Sequence, residues 1–379
     1  MYSEVAFSNV VTIALLNDCN MSCAHCYREI SSDHYRLNSK QIEILVKDDL
    51  LFFQQFHKDI LRVYLTGGEV LLWNEDNKNV MDLLLMISKT LKIVPAFDSN
   101  GIVFSKKDIC FRYLDQYFTK SDHGLKLCLS IDTFHNGEIS QANNWLEHKA
   151  LNNIIEYKKN LKSDKPLYFE VNWVVSTEKG TEIPDDFVDY LKNNEVKLSI
   201  IPLLAQGRGR LLSGVMPRLA ILSKEDTYLN NKSTLGIYKK YLQKEMNISE
   251  QEFEKIPNIE IFKKFNICGC FPIPIFFWKN NYYYCLSQCD RQSSKLEIAS
   301  IGKLKEGIAK FSESLEAKIL KKIQRLGIIN FIIESGYLDL CKDILQNEHP
   351  LRYIGCSICK DIFKRLLETT DQNYNKLFL

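Results

Sequence analysis

The sequence predicts an α/β fold built around a parallel β-sheet. Short apolar runs rich in β-branched and aromatic residues alternate with longer amphipathic stretches up to about the middle of the chain. Strands that are buried on both faces and alternate with helices are typical of parallel sheets. The chain has 379 residues, of which 45% are hydrophobic and 25% charged. This length and composition suffice for one large globular domain with a smaller one beside it.

Six strand–helix units follow one another in this part of the chain. The strands are predicted at 10–16, 60–67, 92–101, 125–132, 167–176 and 196–204. Helices are predicted between them, at 39–56, 79–91, 106–118, 141–161 and 184–193. Such a series fits an open doubly wound sheet and also an incomplete β/α barrel, and periodicity alone does not choose between them.

The pattern changes after the segment AQGRGR at 205–210. Residues 216–265 are charged and helix-like, and we expect a helical linker there. An aromatic, cysteine-rich stretch at 268–289 predicts a β-hairpin around the polar residues KNN, and 303–347 is again predicted to be helical. We therefore expect a core domain at 1–215 and a second, cysteine-bearing domain at 266–379.

Charge and cysteine usage limit the class of protein. The formal net charge of +2 gives no support for nucleic acid or an anionic membrane as the main partner. The N-terminal segment lacks a basic region, and its apolar run is too short to span a bilayer, so we expect a cytoplasmic protein. Because the cytosol keeps thiols reduced, clustered members of the 12 cysteines predict metal binding or catalysis, whereas isolated ones such as Cys110 and Cys128 predict core packing.

Three cysteines directly follow the first predicted strand. Cys19, Cys23 and Cys26 form a CxxxCxxC pattern with no fourth cysteine nearby. In a parallel β/α sheet, the loops at the carboxyl ends of the strands lie where ligands bind. Three thiolates can hold three irons of a four-iron cluster and leave the fourth open, although such clusters usually have four cysteines. A zinc ion completed by His25 is the alternative, but His25 lies inside the Cys23–Cys26 turn, awkwardly placed for the same ion.

Polar segments follow the next three strands. In TGGE, the paired glycines Gly67 and Gly68 let the backbone approach a ligand closely, and a carboxylate beside them can hold an ammonium group. DSNG at 98–101 contains a common turn dipeptide. Ser130 and Asp132 are separated by two, so on an extended strand they point the same way. His135 follows them as a candidate acid or base, although a histidine in a turn is more often solvated.

Together these segments resemble the radical S-adenosylmethionine (SAM) superfamily. The resemblance rests on CxxxCxxC followed by an aromatic residue, then GGE, a TNG-like turn and an SxD segment, in the family's order over residues 1–215. It implies a partial (β/α)6 barrel in which SAM chelates the open iron of a 4Fe–4S cluster. In this family the reduced cluster cleaves SAM to methionine and a 5′-deoxyadenosyl radical, which abstracts a hydrogen atom from the substrate.

The resemblance also implies a role for each residue. Cys19, Cys23 and Cys26 are expected to ligate the cluster and to be catalytic. The expected SAM-binding residues are Tyr27, Gly67, Gly68, Glu69, Ser99, Asn100, Ser130, Asp132 and Asn172. For Asn172, within the fifth strand, a structural hydrogen-bonding role is an equal alternative. Arg208 and Arg210, after the sixth strand, are either carboxylate contacts or surface residues.

A second set of cysteines lies in the last part of the chain. A hairpin pair and a CxxC before a helix can together supply four thiolates, for zinc or for a fully ligated iron–sulfur cluster: Cys270, Cys285, Cys356 and Cys359. The arrangement resembles the twitch extension of radical SAM enzymes, a short relative of the SPASM domain, and implies a small α+β domain with one auxiliary 4Fe–4S cluster. Further cysteines compete with this set or are extra to it: Cys268, Cys289 and Cys341.

One glycine usual in the twitch hairpin is replaced by asparagine, at Asn280 or Asn281. Asparagine also accepts left-handed backbone geometry, so the hairpin is still expected.

The substrate is less defined than the chemistry. By resemblance, enzymes with such extensions modify ribosomal peptides, mature sulfatases or oxidise small molecules such as aminocyclitols. We expect modification of a ribosomally made peptide or protein, with dehydrogenation of a small molecule as the alternative. The chain starts only eighteen residues before Cys19, so we expect no leader-recognition domain within it. A flavodoxin or ferredoxin is the implied reducing partner. A non-catalytic metal-binding scaffold is the alternative from another class.

Overall fold

The computed structural model describes residues 7–26, 34–56, 61–132, 135, 145–175, 183–202, 273–284, 297–326, 331 and 334. Several residues for which the sequence makes predictions lie outside these ranges: Tyr27, Arg208, Arg210, the segment 216–265, Cys268, Cys270, Cys285, Cys289, Cys341, Cys356 and Cys359.

A nine-stranded sheet forms the centre of the described part. Its strands are β1 (Phe7–Ala14), β2 (Arg62–Thr66), β5 (Ala96–Ser99), β6 (Leu125–Ser130), β7 (Leu167–Val175), β8 (Lys197–Pro202), β9 (Ile273–Trp278), β10 (Asn281–Tyr284) and β11 (Glu297–Ser300). They lie in the order β11-β10-β9-β1-β2-β5-β6-β7-β8. A separate ribbon pairs β3 (Asn74–Glu75) with β4 (Lys78–Asn79).

The six strands from β1 to β8 in the large sheet lie side by side in chain order and are all parallel. A doubly wound sheet reverses its strand order at a switch point, so this sheet is singly wound. Sequential parallel strands are the arrangement of a β/α barrel. Among the described residues the sheet stays open, with β11 and β8 at its edges. The predicted six-unit partial barrel is thus confirmed in strand number, direction and order.

Helices connect the strands and cover one face of the sheet. They are α1 (Ser39–Ile44), α2 (Leu51–Phe56), α3 (Val80–Leu91), α4 (Lys107–Phe118), α5 (Lys149–Asn160), α6 (Asp185–Asn193), α7 (Leu304–Ser312) and α8 (Leu315–Leu326). Right-handed crossovers between sequential parallel strands place the connecting helices on the same side. In agreement, Trp173 of β7 packs on Phe187 of α6, with ring centroids 5.4 Å apart. None of the helices in the described ranges is long and apolar enough to cross a bilayer.

A π-helical segment, Leu45–Leu50, joins α1 to α2. The sequence predicts a single helix at 39–56, but its apolar residues have mixed spacing. The wider π turn explains that spacing, because Ile42, Leu45, Leu50 and Phe53 all reach the core.

The face of the six strands opposite Trp173 is polar. The ammonium group of Lys126 on β6 extends past Ala96 of β5, which is in register with it, and donates to the hydroxyl of Tyr64 on β2 at 2.9 Å. Lys126 and Lys197 both lie next to one carboxylate oxygen of Glu170, at 2.9 and 3.1 Å. Burial alone would raise the pKa of Glu170, but hydrogen bonds from Ser199 and Lys126 lower it. We call this side the inner face and the helix-covered side the outer face.

The predicted hairpin is confirmed and extends the same sheet. β9 pairs with β10, and the turn residues Lys279 and Asn280 have φ of 47° and 68°, the left-handed geometry that tight hairpins need. Asn280 is therefore the asparagine that adopts the predicted conformation. β9 also pairs with β1 in parallel, so the hairpin continues the sheet of the core. Its aromatic residues are buried in the core: Phe276, Phe277, Tyr282 and Tyr284.

Candidate metal and ligand site at the carboxyl ends of the strands

Residues 15–26 follow β1, and Cys19 is the fifth residue after the end of that strand; we call this segment the cysteine loop. Cys26 N–H donates to the carbonyl of Cys23 at 3.2 Å and closes the loop into a turn. Cys23 is only 8% exposed, Cys26 is half-buried and Cys19 lies at the open edge. The atoms around the Cys19 sulfur displace enough water to raise its pKa to about 11, opposed by a backbone hydrogen bond at Met21 and reinforced by the nearby Glu69, Cys23 and Cys26.

This donor set fits a metal centre. Thiols in mutual electrostatic contact disfavour the thiolate form because each negative charge repels the next. A bound cation reverses this effect and deprotonates coordinating thiols. Three cysteine sulfurs in one loop match three corners of a four-iron cluster. The residues present therefore fit the implied cluster in number and chemistry.

The glycine pair of TGGE packs directly on the backbone before the cysteines. Gly67 has φ of 149°, and Gly68 N–H donates to the carbonyl of Leu16 at 2.7 Å. A Cβ on Gly68 would lie 1.9 Å from the carbonyl oxygen of Asp18, which no side chain tolerates. Glu69 N–H then donates to that same oxygen at 2.8 Å. The sequence predicted that the glycines would let the backbone approach a ligand closely. In the structure the close approach is to the backbone of the cysteine loop.

Glu69 joins the ends of β2 and β5. Its carboxylate is 1% exposed and accepts from the backbone N–H of Leu71 at 3.0 Å, the hydroxyl of Ser99 at 3.0 Å and the N–H of Asn100 at 2.7 Å. Burial raises the pKa of Glu69 to about 7, although these hydrogen bonds oppose the shift. A positively charged group nearby would restore a lower pKa, so the carboxylate is poised to stabilise a cation.

Asn100 links the cysteine loop to this turn. Its side-chain amide donates to the side-chain carbonyl of Asn20 at 2.8 Å and lies 3.7 Å from the sulfur of Cys19. Its side-chain oxygen accepts from the N–H of Ile102. Because Glu69 accepts from the backbone of the same residue, Asn100 ties the CxxxCxxC, GGE and DSNG segments into one edge.

Ser130 and Asn172 are neighbours on the inner face. They are in register between β6 and β7, and Asn172 is in register with Ser199 of β8. Ser130 is the last residue of β6, whereas Asn172 and Ser199 lie nearer the middle of β7 and β8, and all three are on the side away from Trp173. The structure thus brings together two predicted site residues from neighbouring strands.

Asp132 lies beyond the end of β6 and is fully buried. One carboxylate oxygen lies 2.7 Å from Nδ1 of His135 and accepts from Val174 N–H at 3.3 Å; the other accepts from His135 N–H at 3.0 Å. Burial alone would raise the pKa of Asp132 and lower that of His135. Their attraction reverses both shifts, so the pKa of Asp132 is lowered and that of His135 is raised to about 10.

The expectation of a solvated His135 is wrong, because the residue is 8% exposed. Its ring meets the ring of His25 edge to face at 4.5 Å between centroids. The ligand atoms of His25, Asp132 and His135 lie within 4.8 Å of one another, a set that can hold a metal ion. The sequence analysis placed His25 and His135 in separate contexts. Both residues are histidines and therefore possible metal ligands, but their proximity follows from the fold and not from the sequence.

Comparisons with solved structures return weak likenesses over most of the chain. The native form of a protein called anSMEcpe with bound AdoMet has 14% identity and a TM-score of 0.47, covering 97% of this chain and 99% of that one. The same protein with AdoMet and a Cp18Cys peptide has 15% identity and a TM-score of 0.45, covering 97% and 98%. Streptococcus suis SuiB bound to precursor peptide SuiA has 15% identity and a TM-score of 0.46, covering 94% and 77%.

No protein-family model matches the chain, and no curated protein matches it. With identities of 14–15% and TM-scores below 0.5, the structural likenesses do not by themselves assign a function to this chain.

Proposed function

We propose that the protein is a radical SAM enzyme that cleaves SAM reductively and removes a hydrogen atom from its substrate. One observation carries the proposal. Asn100 contacts the sulfur of Cys19 with its side chain while its backbone is held by Glu69, so the three segments that resemble the family's motifs meet at one edge of a singly wound parallel sheet.

In this proposal Cys19, Cys23 and Cys26 hold three irons of a 4Fe–4S cluster. When bound, the cluster supplies the single electron that splits SAM into methionine and the 5′-deoxyadenosyl radical. The chain's own residues bind and orient. Gly67 and Gly68 keep the backbone of the second strand end against the cysteine loop, where no larger residue fits at Gly68.

The proposed contacts with SAM follow from charge and position. Glu69, whose pKa is raised to about 7 by burial, gains most from a neighbouring ammonium, and we assign it to the amino group of SAM. Ser99, the last residue of β5, and Asn100, which follows it, donate hydrogen bonds to its carboxylate. Ser130 and Asn172, side by side on the inner face, supply a hydroxyl and an amide for the polar groups of SAM. Tyr27 and Asp132 remain predicted contacts.

The finer parts of the function remain part of the proposal. We propose an auxiliary 4Fe–4S cluster on Cys270, Cys285, Cys356 and Cys359, a flavodoxin- or ferredoxin-type electron donor in the cytoplasm, and a maturase type of reaction on a ribosomally made peptide. These rest on the sequence resemblance. A candidate precursor peptide encoded beside the gene tests the substrate: reaction products are compared with the unmodified peptide by mass spectrometry.

The chemistry is tested on anaerobically reconstituted protein given SAM and dithionite. We expect 5′-deoxyadenosine as a product and about four irons per SAM-binding cluster. Cys23→Ala is expected to abolish 5′-deoxyadenosine formation, whereas Cys110→Ala, which removes a buried thiol on α4, leaves it measurable. Protein that contains only zinc, or that forms no 5′-deoxyadenosine with a loaded cluster, refutes the proposal.

A second candidate is a mononuclear metal scaffold without catalysis. It is favoured by the geometry of His25, Asp132 and His135, whose ligand atoms lie within 4.8 Å of one another. Two histidines and a carboxylate are a known ligand set for divalent iron and zinc. Metal analysis separates the candidates: the scaffold predicts one divalent ion per chain, retained in Cys19→Ser, and no acid-labile sulfide.

A further inference from the structure

One carboxylate on the inner face takes no part in the ion pairs beside it. Asp98 of β5 and Glu170 of β7 lie in one row across the sheet, with one residue of β6 in register between them. The carboxylate of Glu170 is occupied: Lys126 and Lys197 lie 2.9 and 3.1 Å from one oxygen, and Ser199 donates to the other. None of the ion pairs in the described ranges includes Asp98, and no N–H or hydroxyl group there donates to its carboxylate.

Asp98 lies in a recess of the inner face. The residue is partly exposed, yet the atoms around it displace enough water to raise its pKa to about 6, an effect that the positive charge of Lys126 opposes only in part. A side chain that protein atoms surround and solvent still reaches lines a concave surface. The residue in register with it on β6 is Cys128, whose thiol is a weak donor. Within the described part of the chain, the carboxylate is therefore desolvated without a strong donor, and a positively charged ligand group would supply one.

The position of Asp98 is next to the proposed SAM contacts. Alternation along β5 puts its side chain on the opposite face from that of Phe97, which is fully buried. Ser130 and Asn172 form the next row of the inner face toward the carboxyl ends, two residues further along the strands, or about 7 Å. A molecule that lies on the inner face beside SAM therefore comes within reach of Asp98.

We propose that Asp98 is a specificity-determining residue that binds a positively charged group of the substrate, an ammonium or a guanidinium. The inference rests on the proposed function, since it requires a substrate on the inner face next to SAM. Glu69 is less suited to this role, because it is 1% exposed and is assigned to the amino group of SAM. A neutral substrate would leave Asp98 desolvated and unpaired, so the residue selects for cations. A lysine or arginine side chain of a peptide and an amine of an aminocyclitol share this chemistry.

The test measures how far a probe stimulates 5′-deoxyadenosine formation by the anaerobically reconstituted full chain with SAM and dithionite. The peptide probes are pools of random decapeptides that contain no lysine or arginine outside one fixed central position. That position holds lysine or its neutral analogue norleucine in one pair of pools, and arginine or neutral citrulline in the other. The small-molecule probe is 2-deoxystreptamine, with its fully N-acetylated form as the neutral counterpart. Each rate is divided by the rate of the same protein with SAM alone.

For the unchanged chain, we expect at least one cationic probe to stimulate at least tenfold more than its neutral counterpart, because losing one partner of a desolvated charge pair is costly. Stimulation by the lysine or arginine pool identifies a peptide side chain as the source of the cation. Stimulation by 2-deoxystreptamine identifies a small amine. Equal stimulation by charged and neutral probes, or none by any cationic probe, overturns the inference.

Variants test whether Asp98 is the group that recognises the cation. Asp98→Asn removes the charge at nearly constant size, and Asp98→Glu keeps the charge. Asp122→Asn is the matched control, because it makes the same change at an exposed aspartate just before β6. Iron and sulfide content establishes that each variant is loaded, and Asp98→Ser replaces Asp98→Asn if the latter loads no cluster.

We expect Asp98→Asn to reduce the preference for the charged probe over the neutral one at least tenfold. Asp98→Glu should keep part of that preference and Asp122→Asn all of it. A loaded Asp98→Asn protein with the full preference shows that another group binds the cation, which overturns the inference.

Failure of the inference is distinguishable from failure of the proposed function. If the unchanged chain forms no 5′-deoxyadenosine from SAM with a loaded cluster, the proposed function falls. If it forms 5′-deoxyadenosine while charged and neutral probes act alike, only the inference falls.

Discussion

The two faces of the six parallel strands are built from different chemistry. On the outer face, Leu127 of β6 and Phe169, Val171 and Trp173 of β7 are buried under the helices. The residues that alternate with them point to the inner face and include Lys126, Glu170 and Tyr168. Tyr168 is 53% exposed. Period-two alternation of the strand separates these two sets cleanly.

The difference identifies which face is core and which is available to a ligand. A singly wound sheet receives all its connecting helices on one side, so only the outer face can bury its side chains against them. The inner face carries hydrogen-bonded ion pairs and, toward the carboxyl ends, Ser130 and Asn172. The candidate site thus lies where the polar inner face reaches the carboxyl ends of the strands, next to the cysteine loop.

The largest effect is expected from truncating the outer face. Trp173→Ala removes a fully buried indole that packs on Trp145 and Phe187, and deletions of this size cost about 3–5 kcal/mol of unfolding free energy. Tyr168→Ala, an aromatic on the inner face of the same strand, is expected to change stability by about 0.5 kcal/mol or less. Urea unfolding of the two variants measures their free energies of unfolding relative to the unchanged chain. Similar losses at both positions would contradict the division between the faces.

This division was only partly predictable from the sequence. The alternation in LKLCLS at 125–130 already separates leucines from polar residues, yet strands buried on both faces were the expectation. Strand number and direction followed from the strand–helix series. Strand order did not, because residue periodicity is the same in a doubly wound and a singly wound sheet, and only the register between strands distinguishes them.

The site shows the same limit. Cys19, Cys23, Gly68 and Asn100 could be placed at one edge because each follows a strand, and local sequence marks that position. The contact between Asp132 and His135 joins the end of a strand to a residue of the following turn. From the sequence, a histidine in such a turn is more often exposed to solvent. The ring of His25, more than a hundred residues earlier, packs against His135, and no local pattern records such a contact.

A second prediction concerns an ionisable group on the helix side. His148 precedes α5, its Nδ1 accepts from Leu151 N–H at 3.3 Å, and burial lowers the pKa of this histidine to about 4. In the unfolded chain the pKa is about 6.5, so between these values the unfolded state binds more protons. Stability is therefore fully present above about pH 6.5 and is lost as the pH falls toward 4, by about 3 kcal/mol in total.

Unfolding free energies at several pH values between 7.5 and 4.5 test this, with His148→Gln as the control. The variant loses stability at neutral pH because its cap is weaker, but the contribution of this residue to the acid dependence should vanish. An unchanged acid slope in His148→Gln would show that the group is not held neutral. On the inner face, hydrogen bonds keep Glu170 charged with a lowered pKa, so this carboxylate also loses its contribution to stability as the pH falls.

A third, smaller effect is expected at the centre of the inner face. Glu170→Gln removes the charge shared by Lys126 and Lys197, and loss of hydrogen bonds to a charged group costs about 1–3 kcal/mol. Because this face is partly solvated, the loss of unfolding free energy should be smaller in 1 M salt, where the Debye screening length is about 3 Å. Urea unfolding at low and high salt measures it. A loss that does not depend on salt would indicate a closed, dry interior instead.

The smallest effect is expected at the most exposed member of the network. The side chain of Lys197 is 43% exposed and shares Glu170 with Lys126, so Lys197→Met should cost less than about 1 kcal/mol. Lys126→Met should cost more, because Lys126 is less exposed and also donates to Tyr64 across β5. The ranking, measured by urea unfolding, sharpens the comparison of the faces: solvation on the inner face should increase from Lys126 toward β8. If Lys197→Met costs as much as Lys126→Met, the inner face is uniformly enclosed and its edge strand is not open to solvent.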